Sequence, residues 1–165
     1  MTLDRQASET SRAVDSSEEM QRIAASLGRI LEVADVIALT GPLGAGKTTF
    51  VQGLAQGLGV PSERQVTSPT FALVNQHPGR IELVHVDFYR IQSPAELPEL
   101  GLEEAYDRAA TAIEWADRFP DWLPPDFLHV AIDVLPEDGR VLRLRSSGPR
   151  SAALLSAVAE ANAAE

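Results

Sequence analysis

The stretch Gly41-Pro42-Leu43-Gly44-Ala45-Gly46-Lys47-Thr48 constrains this chain more than any other segment. It satisfies the pattern G-x-x-x-x-G-K-[ST], a loop whose backbone N–H groups converge on a phosphate. At usual residue frequencies a chain of this length meets the pattern by accident in roughly 0.6% of cases, so the flanking context decides its meaning. Before it, Val36, Ile37, Ala38 and Leu39 form an unbroken apolar run ending at Thr40. Continuous rather than alternating apolarity predicts a strand covered on both faces. After it, Lys47 to Leu58 carries Phe50, Val51, Leu54 and Leu58 on one side, and Gly59 and Pro61 supply a stop. Strand, glycine loop and helix is the arrangement in which the pattern holds a phosphate.

The chemistry of such a loop follows from its residue types. Glycines allow the backbone to approach an anion without side-chain obstruction, and the following helix turns its positive end toward it. Lys47 is suited to the β- and γ-phosphates, and the Thr48 hydroxyl to the Mg²⁺ that bridges them. Mg²⁺ also needs oxygen ligands, and an attacking water needs orientation. Two acids stand where strands end: Asp87 closes Ile81–Val86, and Glu114 closes Ala109–Ile113. Carboxyl ends of strands form the ligand crevice of an α/β sheet, so either acid can face the phosphates.

The rest of the chain narrows the class. Its 165 residues suit one domain with a core of its own. Fourteen Lys and Arg against 24 Asp and Glu leave a net charge of −10, which argues against autonomous electrostatic binding to nucleic acid or anionic membrane. Cysteine is absent, which excludes disulfides, cysteine-ligated zinc and iron–sulfur clusters. No apolar run approaches the roughly 18 residues of a membrane span, and the polar start lacks a secretory signal, so a cytoplasmic location is expected.

Along the chain, residues 1–15 read as a disordered leader. Ser16 and Ser17 before Glu18 and Glu19 predict a helix start, and Ile23, Leu27, Ile30 and Leu31 give that helix an apolar face. Phe71–Val74 and Ile81–Val86 are expected to pair across a turn at His77-Pro78-Gly79-Arg80. Ser93 and Pro94 open a short helix. Leu128 to Leu135 and Val141 to Arg145 alternate around Pro136-Glu137-Asp138-Gly139, a hairpin signal. Ser151 to Ala164 is Ala-rich and helix-favourable, either docked or frayed. Residues 147–165 are therefore a tail or helix, and 16–146 the nucleotide domain. His77, His85 and His129 lack metal-binding spacing and read as structural, and Gly28 and Gly57 read as helix interruptions. The expected fold is α/β: a single P-loop NTPase-like domain with a mainly parallel sheet and antiparallel edge strands.

Four blocks in order resemble the bacterial TsaE family. They are Gly41 to Phe50, Val66-Thr-Ser-Pro-Thr-Phe-Ala-Leu-Val74, His85-Val-Asp-Phe-Tyr-Arg90 and Ile113-Glu-Trp115. The resemblance covers about residues 16–146 and fades after Ser146. It implies a Mg²⁺-dependent P-loop ATPase, weakly active alone, that serves tRNA threonylcarbamoyladenosine synthesis. It implies partners resembling TsaD, the threonylcarbamoyl-transferase subunit, and TsaB, its inactive paralogue. Transfer chemistry would belong to the partners, tRNA would be met only through the complex, and hydrolysis would reset that complex. By the same resemblance Gly41, Pro42, Leu43, Gly44, Ala45, Gly46, Lys47, Thr48 and Thr49 would bind ATP, and Thr48 and Glu114 would be the Mg²⁺-linked pair. Asp87 would orient water or stand behind the metal. Thr67 to Thr70 would form a switch loop sensing the γ-phosphate, with Thr70 and Lys47 joining Asp87 in catalysis. Trp115 would pack beside the site, and Tyr89 and Arg90 would touch nucleotide or partner, or serve as plain packing and surface charge. Glu18 and Arg140 align with positions near the nucleotide. Pro42 stands where the family usually has an acid, and Met20 where it often has a polar residue.

Two other readings share the loop. A small-molecule P-loop kinase needs an acceptor pocket and an Arg-bearing lid, for which Arg108 and Arg118 are the candidates. A nucleotide-dependent binding switch needs the Thr67–Thr70 loop but no useful hydrolysis.

Overall fold

The structure, a computed structural model, describes residues 8–69 and 73–163. Among them seven strands form one sheet in the order β1-β7-β6-β2-β5-β4-β3. They are β1 (Glu9–Val14), β2 (Val36–Thr40), β3 (Val74–His77), β4 (Leu83–Asp87), β5 (Ala110–Glu114), β6 (Leu128–Val134) and β7 (Arg140–Ser146). The centre, β6-β2-β5-β4, is parallel; β3 pairs antiparallel on one flank, and β7 and β1 on the other. Four α-helices accompany it: α1 (Ser17–Gly28), α2 (Lys47–Gly57), α3 (Leu102–Arg108) and α4 (Pro149–Ala163). None is long and apolar enough to cross a membrane.

Burial follows position in the sheet. Strands β4 and β5 are buried at every residue, because helices cover both faces. Strand β6 alternates: Leu128, Val130 and Ile132 are buried while the residues between are half-exposed. One core lies under α1, α2 and α4 and includes Ile23, Leu27, Phe50, Leu54 and Leu155. The other lies on the opposite face and includes Val36, Val84, Val86, Phe88, Leu97 and Ile113. Alternation along β4 sends Val84 and Val86 to this second core and Leu83 to the first. His85 and Asp87 therefore point to the α2 side.

Several expectations are met, and others are corrected. The Ser16 hydroxyl accepts from the Glu19 N–H, while the Glu19 carboxylate accepts from the Asp15 N–H, so α1 starts where the acids predicted. The 128–146 hairpin forms with Asp138 at φ +65° in its turn. Glu9–Val14 is not part of a leader: it pairs with β7 from Glu9↔Arg145 to Val14↔Arg140. Its sequence is polar because only Val14 of the strand is fully buried. The remainder of the expected leader, residues 1–7, lies outside the described residues, as do residues 71 and 72 of the expected 71–74 strand. Strand β3 instead continues through His77, at 4% exposure, into what reads as turn. Helix α4 docks: Leu154, Leu155 and Val158 are buried, and Arg150 grips the Asp35 carboxylate at 2.8 and 2.9 Å. Helix α3 has no counterpart in the sequence reading.

Gly28 and Gly57 are not interruptions but the contact between α1 and α2. A Cβ on Gly57 would stand 2.2 Å from the Ala25 carbonyl oxygen, and one on Gly28 would stand 2.4 Å from that of Leu54. Both obstructions are backbone, so no rotamer relieves them. The helix that carries the phosphate loop is thus seated by backbone-to-backbone approach. Gly57→Ala is expected to cost about 1–3 kcal/mol, the usual range for overpacking. The check is a denaturant melt, with a midpoint shift and no change of slope.

Candidate nucleotide site

The phosphate loop joins the C-terminal end of β2 to the N-terminus of α2. Gly41, Gly44 and Gly46 adopt φ of +148°, +78° and +117°, backbone that side chains resist. Nothing lies within 4 Å of where a Gly44 Cβ would be, so the loop is open on that side. Gly46 caps α2 without a side-chain hydrogen bond, which leaves the first-turn N–H groups facing the loop's concavity. Lys47 folds back over the loop. Its Nζ donates to the carbonyls of Gly41 at 2.7 Å and Pro42 at 2.9 Å, and stands 4.2 Å from the Trp115 ring centre. Pro42 serves through its carbonyl while its ring is exposed, so the departure from the family's acid leaves the cradle intact. Burial lowers the Lys47 pKa, and the charges of Glu114, Asp87 and Asp117 oppose that shift.

Parallel pairing puts the two strand-end acids side by side, with Asp87 opposite Glu114. Glu114 is 3% exposed and forms the hub of the site. The Thr48 hydroxyl donates to its Oε1 at 2.9 Å and Oε2 at 3.1 Å. Ser68 Oγ reaches Oε2 at 3.2 Å and lies 2.6 Å from Thr48 Oγ1. His85 Nε2 lies 2.6 Å from the same Oε2. Asp87 is 5% exposed and accepts from the Tyr89 N–H at 2.9 Å. Burial pushes its pKa up, the Tyr89 N–H opposes that shift, and the Glu114 charge adds to it. Trp115 adopts φ +57°, a left-handed conformation rare for an aromatic residue, and its ring packs tilted against Tyr89 with centroids 4.8 Å apart.

These groups enclose a cavity of about 310 Å³. It gathers Leu43, Gly44, Gly46, Lys47, Thr48, Thr49, Asp87, Tyr89, Arg90, Glu114 and Trp115 from the candidates, with Ser68 of the expected Thr67–Thr70 loop. A second cavity of about 220 Å³ opens on the other side of Gly44, Ala45, Gly46 and Thr49, between the start of α1 and the β6–β7 turn. Arg140 belongs to it, donating from Nε to the Ala45 carbonyl at 2.9 Å and from Nη1 to that of Asp138 at 2.7 Å. Met20 also lines it and sits against Gly46. Glu18 is exposed on the first turn of α1 and lines neither cavity. Thr70 lies outside the described residues; Ser68, from the same loop, reaches the site.

His85 is the residue that spacing missed: its partner Glu114 is 29 positions away, and only the β4–β5 register brings them together. The lid candidates are committed elsewhere. Arg118 donates to the carbonyls of Phe88, Tyr89 and Ile91, and Arg108 pairs with Glu82.

The donor set suits Mg²⁺ with a nucleotide. No group of three or more His, Asp or Glu side chains forms a metal cage among the described residues. Mg²⁺ instead suits one or two protein oxygens completed by phosphate and water, and Thr48 and Glu114 offer such a pair.

Comparison with known proteins agrees in extent. The family model for "Threonylcarbamoyl adenosine biosynthesis protein TsaE" matches residues 14–142. A tRNA threonylcarbamoyladenosine biosynthesis protein TsaE from Treponema pallidum is 39% identical over 126 residues, covering 76% of this chain and 92% of the relative. The protein of that name from Bacillus subtilis is 36% identical over 135 residues, covering 81% and 83%. The crystal structure of YdiB from Bacillus subtilis superposes with a TM-score of 0.83 at 28% identity, over 96% of this chain and 99% of that one.

Proposed function

The chain belongs to the TsaE family of threonylcarbamoyl adenosine biosynthesis proteins, and from that membership we propose that it is the accessory ATPase of a tRNA-modifying complex. It binds ATP with Mg²⁺ in the cytoplasm, hydrolyses it slowly alone, and resets the complex between turnovers. Its partners are a threonylcarbamoyl-transferase subunit and that subunit's inactive paralogue, and it meets tRNA only through them. The observation that supports this reading is the Thr48–Glu114 contact of 2.9 Å beside the glycine loop, with Asp87 on the neighbouring strand. The net charge of −10 agrees with a subunit that leaves tRNA binding to others.

The roles follow from placement. The backbone N–H groups of Gly44 to Thr49 donate to phosphate oxygens. Lys47 exchanges its two loop carbonyls for the β- and γ-phosphates. Thr48 and Glu114 would hold Mg²⁺, which would supply charge neutralisation at the phosphoryl group. Asp87 orients the attacking water and accepts its proton. Ser68 carries the state of the Thr48–Glu114 pair into the loop after α2. Arg140 braces the loop from behind.

Glu114→Ala is expected to weaken ATP binding more in Mg²⁺ than in EDTA. Titration calorimetry of the two conditions checks it, and equal losses would assign Glu114 a folding role instead. Reconstitution tests the wider reading: added partner subunits should change the rate of ATP hydrolysis. Rapid turnover by the isolated chain with a small hydroxylated acceptor would overturn it.

A further inference from the structure

We infer that His85 is the positioning residue that fixes the Glu114 carboxylate, holding its Oε2 so that Oε1 remains the oxygen available to a cation. The inference rests on the reading of Glu114 as a Mg²⁺-linked residue. His85 stands on β4 between Leu83, which packs in the core beneath α1 and α2, and Asp87, which faces the cavity. Its register partner on β5 is Ala112, whose small side chain leaves room for the imidazole. The ring is fully buried. A carboxylate accepts hydrogen bonds and donates none, so the 2.6 Å contact places the proton on Nε2 and the donation toward Glu114. Nδ1, in contrast, is buried with no hydrogen-bond partner among the described residues.

A bare buried nitrogen is unfavourable, and a histidine present only to fill the core would be better replaced by an apolar side chain. Among the described residues, the one bond that this ring makes goes to the hub of the site. It also divides the carboxylate. Among the described residues, Oε2 accepts from His85 at 2.6 Å and has Thr48 and Ser68 at 3.1 and 3.2 Å, whereas Oε1 accepts only from Thr48 at 2.9 Å. An oxygen with three neighbours has little capacity left, and the other keeps a lone pair. Partners behind a ligand commonly set its orientation, and their loss costs about 10–100-fold in metal affinity.

The test is the ratio of ADP affinities in Mg²⁺ and in EDTA, measured by calorimetry, with the thermal midpoint as a check on folding. His85→Leu should cut the Mg²⁺-dependent gain by about tenfold and leave the EDTA affinity unchanged. His85→Gln, whose amide N–H can reach Oε2, should restore most of the gain. His85→Asn, whose amide is too short, should lose it, and this variant serves where leucine does not fold. A folded His85→Leu with the wild-type gain, or equal gains in the Gln and Asn variants, would overturn the role of His85 alone. A wild-type protein with no Mg²⁺-dependent gain would overturn the reading of Glu114 and this inference with it.

Discussion

Lys47→Ala is expected to lose ATP affinity by about 10–100-fold, the equivalent of one or two hydrogen bonds to a charged group. The size follows from how Lys47 is held. Its Nζ is buried beneath the loop, bonded to the Gly41 and Pro42 carbonyls and set against Trp115, so the charge is already placed where phosphates would arrive. Neighbouring acids offset the burial that disfavours its charge. Alanine removes the only lysine of the loop and leaves its two carbonyls without that donor. Calorimetric titration with ATP in Mg²⁺ reads the loss, and the melting midpoint distinguishes it from a collapsed loop. Unchanged affinity would remove the phosphate assignment.

Asp87→Asn separates binding from hydrolysis. Hydrolysis should fall by at least about 10²-fold, the lower range for loss of a general base, while ATP affinity stays within a few-fold. Asparagine keeps the acceptor for the Tyr89 N–H and removes the buried charge. The same substitution should raise stability near neutral pH. Burial raises the Asp87 pKa, so the folded chain holds that proton to higher pH than the unfolded chain does. Its ionisation therefore costs stability above that raised pKa, and the cost disappears below the ordinary carboxylate pKa. Melts of both proteins at neutral and acidic pH should show the advantage of the variant only at the former. If partner-dependent tRNA modification survives with hydrolysis lost, nucleotide binding alone acts as the switch.

What was legible in the sequence was what short segments encode. The glycine loop, the apolar run of β2, the Ser16 cap and the 128–146 hairpin each announce themselves within one continuous segment. Asp87 and Glu114 were legible as strand ends, and the fold then placed them opposite each other. What stayed hidden depends on distant partners. Glu9–Val14 is a strand because β7, some 130 positions later in the chain, offers it an edge; its exposed side leaves a polar sequence. Gly28 and Gly57 look like weak points in isolated helices and become necessary only when α1 meets α2. His85 reads as one more residue of a buried strand until β5 brings Glu114 to it. The family blocks carried more of the candidate site than periodicity did, because the residues lining its cavity come from four separate segments.

The central claim is that this nucleotide site serves threonylcarbamoyl modification of tRNA. The most direct test is nucleoside mass spectrometry of bulk tRNA from cells depleted of this protein and complemented with either the wild type or Lys47→Ala. Threonylcarbamoyladenosine is expected to disappear on depletion, to return with the wild type and not to return with Lys47→Ala. An unchanged level under verified depletion, or full rescue by Lys47→Ala, would contradict it.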